Sequence, residues 1–182
     1  MSNPAKGLRN DMGKAFVVEA LNPAKHRREE FDCGVAVLND FLRLRARKEM
    51  EGGTSACFVM VAEDDPGVIA GYYTLSAATI QRTALPESMT KKLPRYHEFP
   101  ATLLGRLARD LRFKGQQIGE RLMASVLHRA VKASDEIASW AIVTDPKDTK
   151  AREFYASFGF QPLTESRQFI TMKSAAQWIN AR

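Results

Sequence analysis

The run Leu104-Gly105-Arg106-Leu107-Ala108-Arg109-Asp110-Leu111-Arg112-Phe113-Lys114-Gly115-Gln116-Gln117-Ile118-Gly119 constrains this chain more than any other segment. An apolar strand ends in a basic, glycine-bearing turn, and the turn opens a long amphipathic helix. Beyond Gly119, the residues Leu122, Met123, Val126, Leu127, Ala130 and Val131 continue from Ile118 at helical spacing. The first N–H groups of a helix lack partners inside it and lie at the positive end of its dipole. Glycine lets backbone approach a ligand closely, and Lys114 adds positive charge, so the turn suits an anion of the phosphate type. The spacing is not that of a Walker loop, nor that of the three-glycine dinucleotide fingerprint that follows a first strand.

A second segment, Asp145 to Phe160, follows the apolar run Trp140-Ala141-Ile142-Val143. Asp148 is placed to cap a helix in which Ala151, Phe154, Tyr155 and Phe158 share one face, and Gly159 ends it. The other elements follow from the same patterns. Lys14 to Leu21 reads as a first strand, and residues 34–51 as a helix closed by Gly52-Gly53. Ser55–Glu63 and Val68–Leu75 form a hairpin around Asp64-Asp65-Pro66-Gly67. Residues 81–99, polar, basic and proline-bearing, read as a mobile connection with a short helix near 86–92. Strand 101–109, helix 117–133, strand 138–144, helix 149–158 and a closing hairpin at 160–164 and 167–173 complete the chain. The expected class is mixed α/β, a central twisted mixed sheet flanked by helices. One domain covers residues 1–182 with its core at 16–172.

These motifs carry a resemblance. Lys114, Gln117 and Gly119 stand at the first, fourth and sixth places of the Arg/Gln-x-x-Gly-x-Gly/Ala turn of the GNAT N-acetyltransferases. Ala151-x-x-Phe154-Tyr155-x-x-x-Gly159-Phe160 resembles a second motif of the same superfamily. Phe31-Asp32-Cys33-Gly34 with Leu38-Asn39-Asp40-Phe41-Leu42 looks like the GNAT-type toxins of bacterial type II toxin–antitoxin modules. The resemblance implies a GNAT fold and an acetyl-CoA-dependent acyltransferase. It implies an acetyl-CoA site in which Lys114, Gly115, Gln116, Gln117, Ile118 and Gly119 cradle the pyrophosphate and the backbone of Leu107, Ala108 and Arg109 takes the acetyl and pantetheine groups. It makes Tyr155 the catalytic proton donor to the thiol. The implied activity is acetylation of the α-amino group of aminoacyl-tRNA, blocking translation, with a small antitoxin that binds DNA in complex with the toxin, and a homodimer. Gln117 departs from the glycine of the pattern. Two other readings remain open at this stage. One is a GNAT enzyme acting on a small amine or a protein N-terminus; the other is a weakened GNAT fold serving as a binding or regulatory protein.

Charge supports a polyanionic partner without identifying it. The formal charge is +6 and the pI about 9.5, and the basic residues fall into clusters. Candidate tRNA contacts are Arg43, Arg47, Lys91, Lys92, Arg95 and Arg106, although a solvated face explains each cluster on its own. On the helix at 34–51, Leu38, Phe41, Leu42 and Leu44 are expected to face the core. The three histidines do not cluster: His128 is expected on a polar helix face, and His26 and His97 in loops. The two cysteines, Cys33 and Cys57, form no Cys-x-x-Cys pair, and no Cys/His spacing calls for a metal. No run approaches the roughly 20 apolar residues of a membrane span, and the N-terminus has no signal-peptide core, so a cytoplasmic protein is expected.

The strand leading to the cradle carries no Glu or His at its middle, where a general base would stand. A lysine amine of pKa ~10.4 is only about 0.04% neutral at pH 7, whereas an α-amine of pKa ~7.8 is about 14% neutral. Chemistry without a dedicated base therefore suits an α-amino substrate. Asp145 and Asp148 are assigned to turn and cap duties.

Overall fold

A computed structural model describes Leu8–Arg9 and residues 15–182. Lys14, expected at the head of the first strand, lies outside the described residues. The strands are β1 (Leu8–Arg9), β2 (Ala15–Ala20), β3 (Ala56–Ala62), β4 (Asp65–Gln81), β5 (Glu98–Arg109), β6 (Ala141–Thr144), β7 (Gln161–Pro162) and β8 (Gln168–Thr171). The helices are α1 (Ala36–Asp40), α2 (Ala46–Glu51), α3 (Glu87–Thr90), α4 (Ile118–Ser134), α5 (Thr149–Ala156) and α6 (Met172–Asn180), with a π-helical stretch, Phe41–Arg45, joining α1 to α2.

The chain packs into two compact units. One comprises residues up to Leu75 with Arg106–Ser125, the other Ser76–Gly105 with Val126–Arg182. In the first, the strands run in the order β1-β2-β3-β4-β5, with β1 through β4 pairing antiparallel. Alternation along β4 sends successive side chains to opposite faces. Tyr72 meets Phe31 and Phe41 on one side and donates its hydroxyl proton to the Leu38 carbonyl at 2.8 Å. Gly71 and Tyr73 face α4 on the other, where the Tyr73 and Ser125 hydroxyls are 2.9 Å apart. A Cβ on Gly71 would lie 2.7 Å from Leu122 and 2.9 Å from the Ala108 carbonyl, so glycine is what lets α4 settle on the strand. The core around Tyr72 includes Leu21, Phe31, Phe41, Leu42, Ala46, Cys57 and Val59.

In the second unit the order is β4-β5-β6-β8-β7. β6 lies parallel to β5, with Ala101 opposite Ala141 and Leu104 opposite Thr144, and antiparallel to β8. A strand covered on both faces reads as a continuous apolar run, and all four residues of Ala141–Thr144 are buried. One face packs Ile80, Leu85, Phe99, Ala101, Val143 and Phe169. An aromatic series, Phe154, Tyr155, Phe158, Phe160 and Trp178, links α5 to α6.

Four sequence expectations are corrected. Leu44, expected in the core, is 75% exposed, because a π-helical turn takes more residues than an α-turn and shifts the face that follows. The connection at 81–99 is ordered: the Arg82 guanidinium donates to the Pro94 carbonyl at 2.6 Å and the Thr90 carbonyl at 2.7 Å, and Leu85 is buried. The sixth strand starts at Ala141, where 138 was expected. The closing hairpin runs into a further helix, α6, whose start Thr171 caps by accepting from the Ser174 N–H at 3.1 Å.

Candidate active site

The turn after β5 is held from beneath by a buried carboxylate. Asp110, fully buried, accepts from the Asp32 N–H at 3.0 Å, the Arg112 N–H at 2.8 Å, and the Arg112 Nε and Nη2, both at 2.9 Å. Burial alone would raise the Asp110 pKa. The Arg112 side chain and the two backbone donors outweigh it and hold the carboxyl below its ordinary value. The Leu111 N–H in turn donates to the Asp32 carbonyl. Asp32 also accepts from the Gly34 N–H and the Asn39 Nδ2, both at 2.8 Å, and Asn39 Oδ1 accepts from the Cys33 N–H. The Phe31–Asn39 motif is therefore a hydrogen-bonded brace for the lead-in to the turn. Asp110 looked in sequence like a stray strand-end acid, and this role was missed. Its engagement with four donors also withdraws it from general-base duty.

The turn itself is formed by Lys114 to Gly119. Gly115 has φ 81° and Gln117 φ 56°. The Arg121 N–H makes the first bond of α4, to the Gln117 carbonyl at 3.0 Å. The N–H groups of Ile118, Gly119 and Glu120 thus precede the helical ladder, in the place where anions bind. Left-handed Gln117 followed by right-handed Ile118 at the helix start is the backbone pairing found in anion nests. Lys114, Gly115 and Gln117 are exposed, Gln116 and Gly119 half-buried, and Ile118 fully buried. Leu107 and Arg109 on β5 are half-buried and Ala108 is buried. Arg109 Nη1 is shut off from solvent with no hydrogen-bond partner. These nine residues come together in the first unit. The expectation that Gln117 takes an ordinary helical conformation is corrected: among the described residues it is the non-glycine with a left-handed φ. The turn keeps the backbone that glycine prefers and places a side chain on it.

Tyr155 belongs to the second unit. It is 8% exposed, and its ring meets Phe154 edge-on and tilts against Phe160. Burial raises the phenol pKa above its ordinary value; the Thr144 hydroxyl opposes this and the Asp148 carboxylate adds to it. Asp148 caps α5 by accepting from the Ala151 N–H at 2.7 Å. Asp145 makes a two-pronged pair with Arg167 at 2.7 and 2.8 Å, a tie between β6 and the turn before β8.

The basic candidates divide. Arg47, Lys91, Lys92 and Arg95 are exposed, Arg47 pairing with Glu51 and Lys91 with Glu87. Arg43 and Arg106 are half-buried, which the sequence did not reveal. Arg43 donates to the Phe31 carbonyl at 2.6 Å, and the Arg106 guanidinium stacks 3.6 Å from the centre of the Phe41 ring. Arg28 joins this group by donating to the Arg43 carbonyl at 3.1 Å. Of the histidines, His97 and His128 are exposed. His26 lies in a loop but is buried, its Nδ1 accepting from the Asn22 N–H and its Nε2 lying 2.7 Å from Glu19.

A family model described as an acetyltransferase (GNAT) domain matches residues 55–162. A probable toxin TacT from Sinorhizobium fredii is 28% identical over 81% of this chain and 84% of its own. A tRNA-acetylating toxin from Mycobacterium tuberculosis is 31% identical over 82% of this chain and 88% of its own. Among solved structures, AtaT complexed with acetyl-methionyl-tRNAfMet is 30% identical with a TM-score of 0.82, covering 89% of this chain and 98% of that one. AtaT is also solved as AtaTR bound with AcCoA (30% identity, TM-score 0.78) and with the C-terminus of the antitoxin AtaR (26%, 0.77), each covering 89% of this chain and 96% of that one. A strand–turn–helix shaped for an anion, a family model spanning more than half of the sequence and a relative above 30% identity along most of its length agree: the chain belongs to the GNAT acetyltransferase family.

Proposed function

We propose that this chain is the toxin of a type II toxin–antitoxin module, and that it transfers acetyl from acetyl-CoA to the α-amino group of aminoacyl-tRNA, blocking translation. The observation that carries this reading is the likeness, along most of both chains, to AtaT in its complex with an acetylated aminoacyl-tRNA. A small antitoxin as cognate partner, DNA binding by the complex, a homodimer and a cytoplasmic setting belong to the same reading. Among the described residues, no helix is long and apolar enough to cross a membrane.

The residues present fit acetyl-CoA. A diphosphate needs N–H donors without prior partners and nearby positive charge. The start of α4 offers the first through Ile118, Gly119 and Glu120, and exposed Lys114 with the orphaned Nη1 of Arg109 the second. When bound, acetyl-CoA supplies an activated acyl group on a thioester. Leu107, Ala108 and Arg109 are assigned to the backbone that receives the acetyl and pantetheine portion. Tyr155 is assigned to hold a proton on its phenol oxygen and to give it to the departing sulfur. A phenol raised by burial stays protonated throughout the physiological range, as a donor requires.

The one carboxylate on β5, Glu98, stands at its start and accepts from Gln81 Nε2 at 2.9 Å, and Asp110, just past its end, is occupied by Asp32 and Arg112. This matches an α-amine, a useful fraction of which is already neutral near pH 7. The exposed basic residues Arg47, Lys91, Lys92 and Arg95 are assigned to tRNA phosphates, with Arg43 and Arg106 as a half-buried second group.

The deciding experiment compares acetylation of charged tRNA, free amino acids and an N-terminal peptide by the purified protein across a salt series. The reading expects charged tRNA to be used far faster than either small amine, with a KM that climbs steeply with salt. Equal rates on free amino acids, or a salt-insensitive KM, would overturn it in favour of a small-amine enzyme.

A further inference from the structure

The segment between β4 and β5 is basic and polar, and one guanidinium orders it. Arg82 donates from Nη2 to the Thr90 carbonyl at 2.7 Å and from Nη1 to the Pro94 carbonyl at 2.6 Å. This draws the end of α3 and the start of the run Arg95-Tyr96-His97 to one point. The Arg82 N–H also donates to the His97 carbonyl at 2.8 Å. On this frame Tyr96 is 63% exposed. Its ring leans at 55° on that of Phe99, with centroids 6.4 Å apart. Phe99, itself buried, tilts against Trp140, and Trp140 stacks on the fully buried Phe169. Tyr96 is thus the outer end of an aromatic series anchored in the core of the second unit, which fixes the ring without covering it.

The two carboxylates of this segment are engaged, Glu87 with Lys91 at 3.0 Å and Glu98 with Gln81 at 2.9 Å. Lys92 and Arg95, both exposed, have no ion pair among the described residues. A lone exposed tyrosine needs no explanation. One held by an aromatic anchor beside unpaired cations matches single-stranded nucleic acid, in which flat bases alternate with phosphates. A duplex hides its base faces in its own stack, and an acidic peptide offers charge without a run of flat faces. Resting on the reading of charged tRNA as substrate, we propose that Tyr96 is a stacking platform for an unpaired base at the 3′ end of that tRNA, with Lys92 and Arg95 on the flanking phosphates. The aminoacyl ester is carried on this unpaired end, so a base held on Tyr96 limits how far the ester can travel.

The test is binding of the full chain to a pair of RNA hairpins that share one stem. One ends in an unpaired 3′ overhang carrying the fluorescent base 2-aminopurine; the other is blunt. Stacking should quench the fluorescence, and the overhang should bind about tenfold tighter than the blunt hairpin, the order of one base–aromatic stack. Tyr96→Leu should abolish the quench and remove that tenfold, while Tyr96→Phe keeps both. A stack releases no counterion, so Tyr96→Leu should leave the salt dependence of Kd unchanged, whereas Lys92→Gln with Arg95→Gln should flatten it. All three side chains are exposed, so Tm should hold throughout. Equal affinity of the wild type for both hairpins, or wild-type binding of the overhang by Tyr96→Leu, would overturn the proposal. So would an equal loss of affinity for a poly-glutamate peptide, which would assign the ring to an acidic partner. Acetylation assays separate this proposal from the reading beneath it. A protein that binds the overhang through Tyr96 but acetylates no charged tRNA keeps the platform and refutes the toxin reading. One that acetylates charged tRNA without preferring the overhang does the reverse.

Discussion

Replacing Gln117 by glycine should make this protein more stable. At φ 56° the Gln117 backbone is left-handed, a conformation that costs an L-residue roughly 1–2 kcal/mol through the clash of Cβ with the following carbonyl. Glycine avoids that clash, but its freer unfolded chain gives back about 0.5–1 kcal/mol. The net gain is about 0.5–1 kcal/mol, a rise in Tm of roughly 1–4 °C for a chain of this size. The exposed Gln117 side chain has little packing to lose. Sequence propensity alone gives the opposite sign, because glutamine is a better helix former than glycine; the left-handed φ decides between them. Gln117→Ala is the control, since alanine keeps the Cβ and its strain while losing the amide. Thermal denaturation followed by circular dichroism reads all three proteins. A glycine variant no more stable than the alanine variant would refute the strain argument. The same variants test the cradle by calorimetry: bare backbone should lower the acetyl-CoA Kd by a few-fold. Weaker binding in the glycine variant would show that the Gln117 amide donates to phosphate.

Charge reversal at Lys91 and Lys92 together should raise KM for charged tRNA several-fold at low salt and flatten its salt dependence, as loss of phosphate contacts predicts. Both side chains are exposed, so Tm should hold, which the same reversal at Arg43 would not allow because its guanidinium braces the Phe31 carbonyl. Asp110→Asn should cost about 2–4 kcal/mol in urea denaturation, since a buried carboxylate with four donors is lost. The native Asp110 pKa is lowered, so its contribution is present above the unfolded carboxyl value near 4 and is lost as pH falls through the lower folded value. The asparagine variant should therefore lose that part of the wild type's acid sensitivity. Gly71→Ala should cost about 1–3 kcal/mol by pushing α4 off β4, given the 2.7 Å approach to Leu122; an unchanged urea midpoint would show that α4 shifts freely.

What the sequence could disclose was local. The cap at Asp148, the helix stop at Gly159 and the turn at Lys114-Gly115 are each set by neighbours a few residues away, and each stands where the pattern puts it. What escaped depends on distant partners. Arg106 looks like a surface cation until Phe41, far back in the chain, comes beneath its guanidinium. Asp110 looks incidental until Asp32 closes on it. Leu44 stands three residues after Phe41, but it lies inside the π-helical stretch Phe41–Arg45, which changes the phase. The Gln117 backbone is set by where the turn must deliver α4, and residue preference is too weak to reveal it. Helix α6 was legible and was missed: the Thr171 cap precedes Met172, Ala175, Ala176 and Ile179 at helical spacing, a stripe read instead as the end of the closing hairpin.

Because β4, β5 and α4 each run through both units, neither unit is a contiguous length of chain. Folding one domain after another during synthesis, the usual course for larger proteins, is closed to this one. A nascent chain that ends at Leu75 has the brace around Asp32 but not Asp110, and one that ends at Ser134 has the cradle but not Tyr155. For the translation-blocking toxin proposed above, this order of assembly acts as a delay: the groups assigned to cofactor grip and proton delivery are complete only after synthesis has passed Tyr155, so an unfinished copy lacks its assigned proton donor.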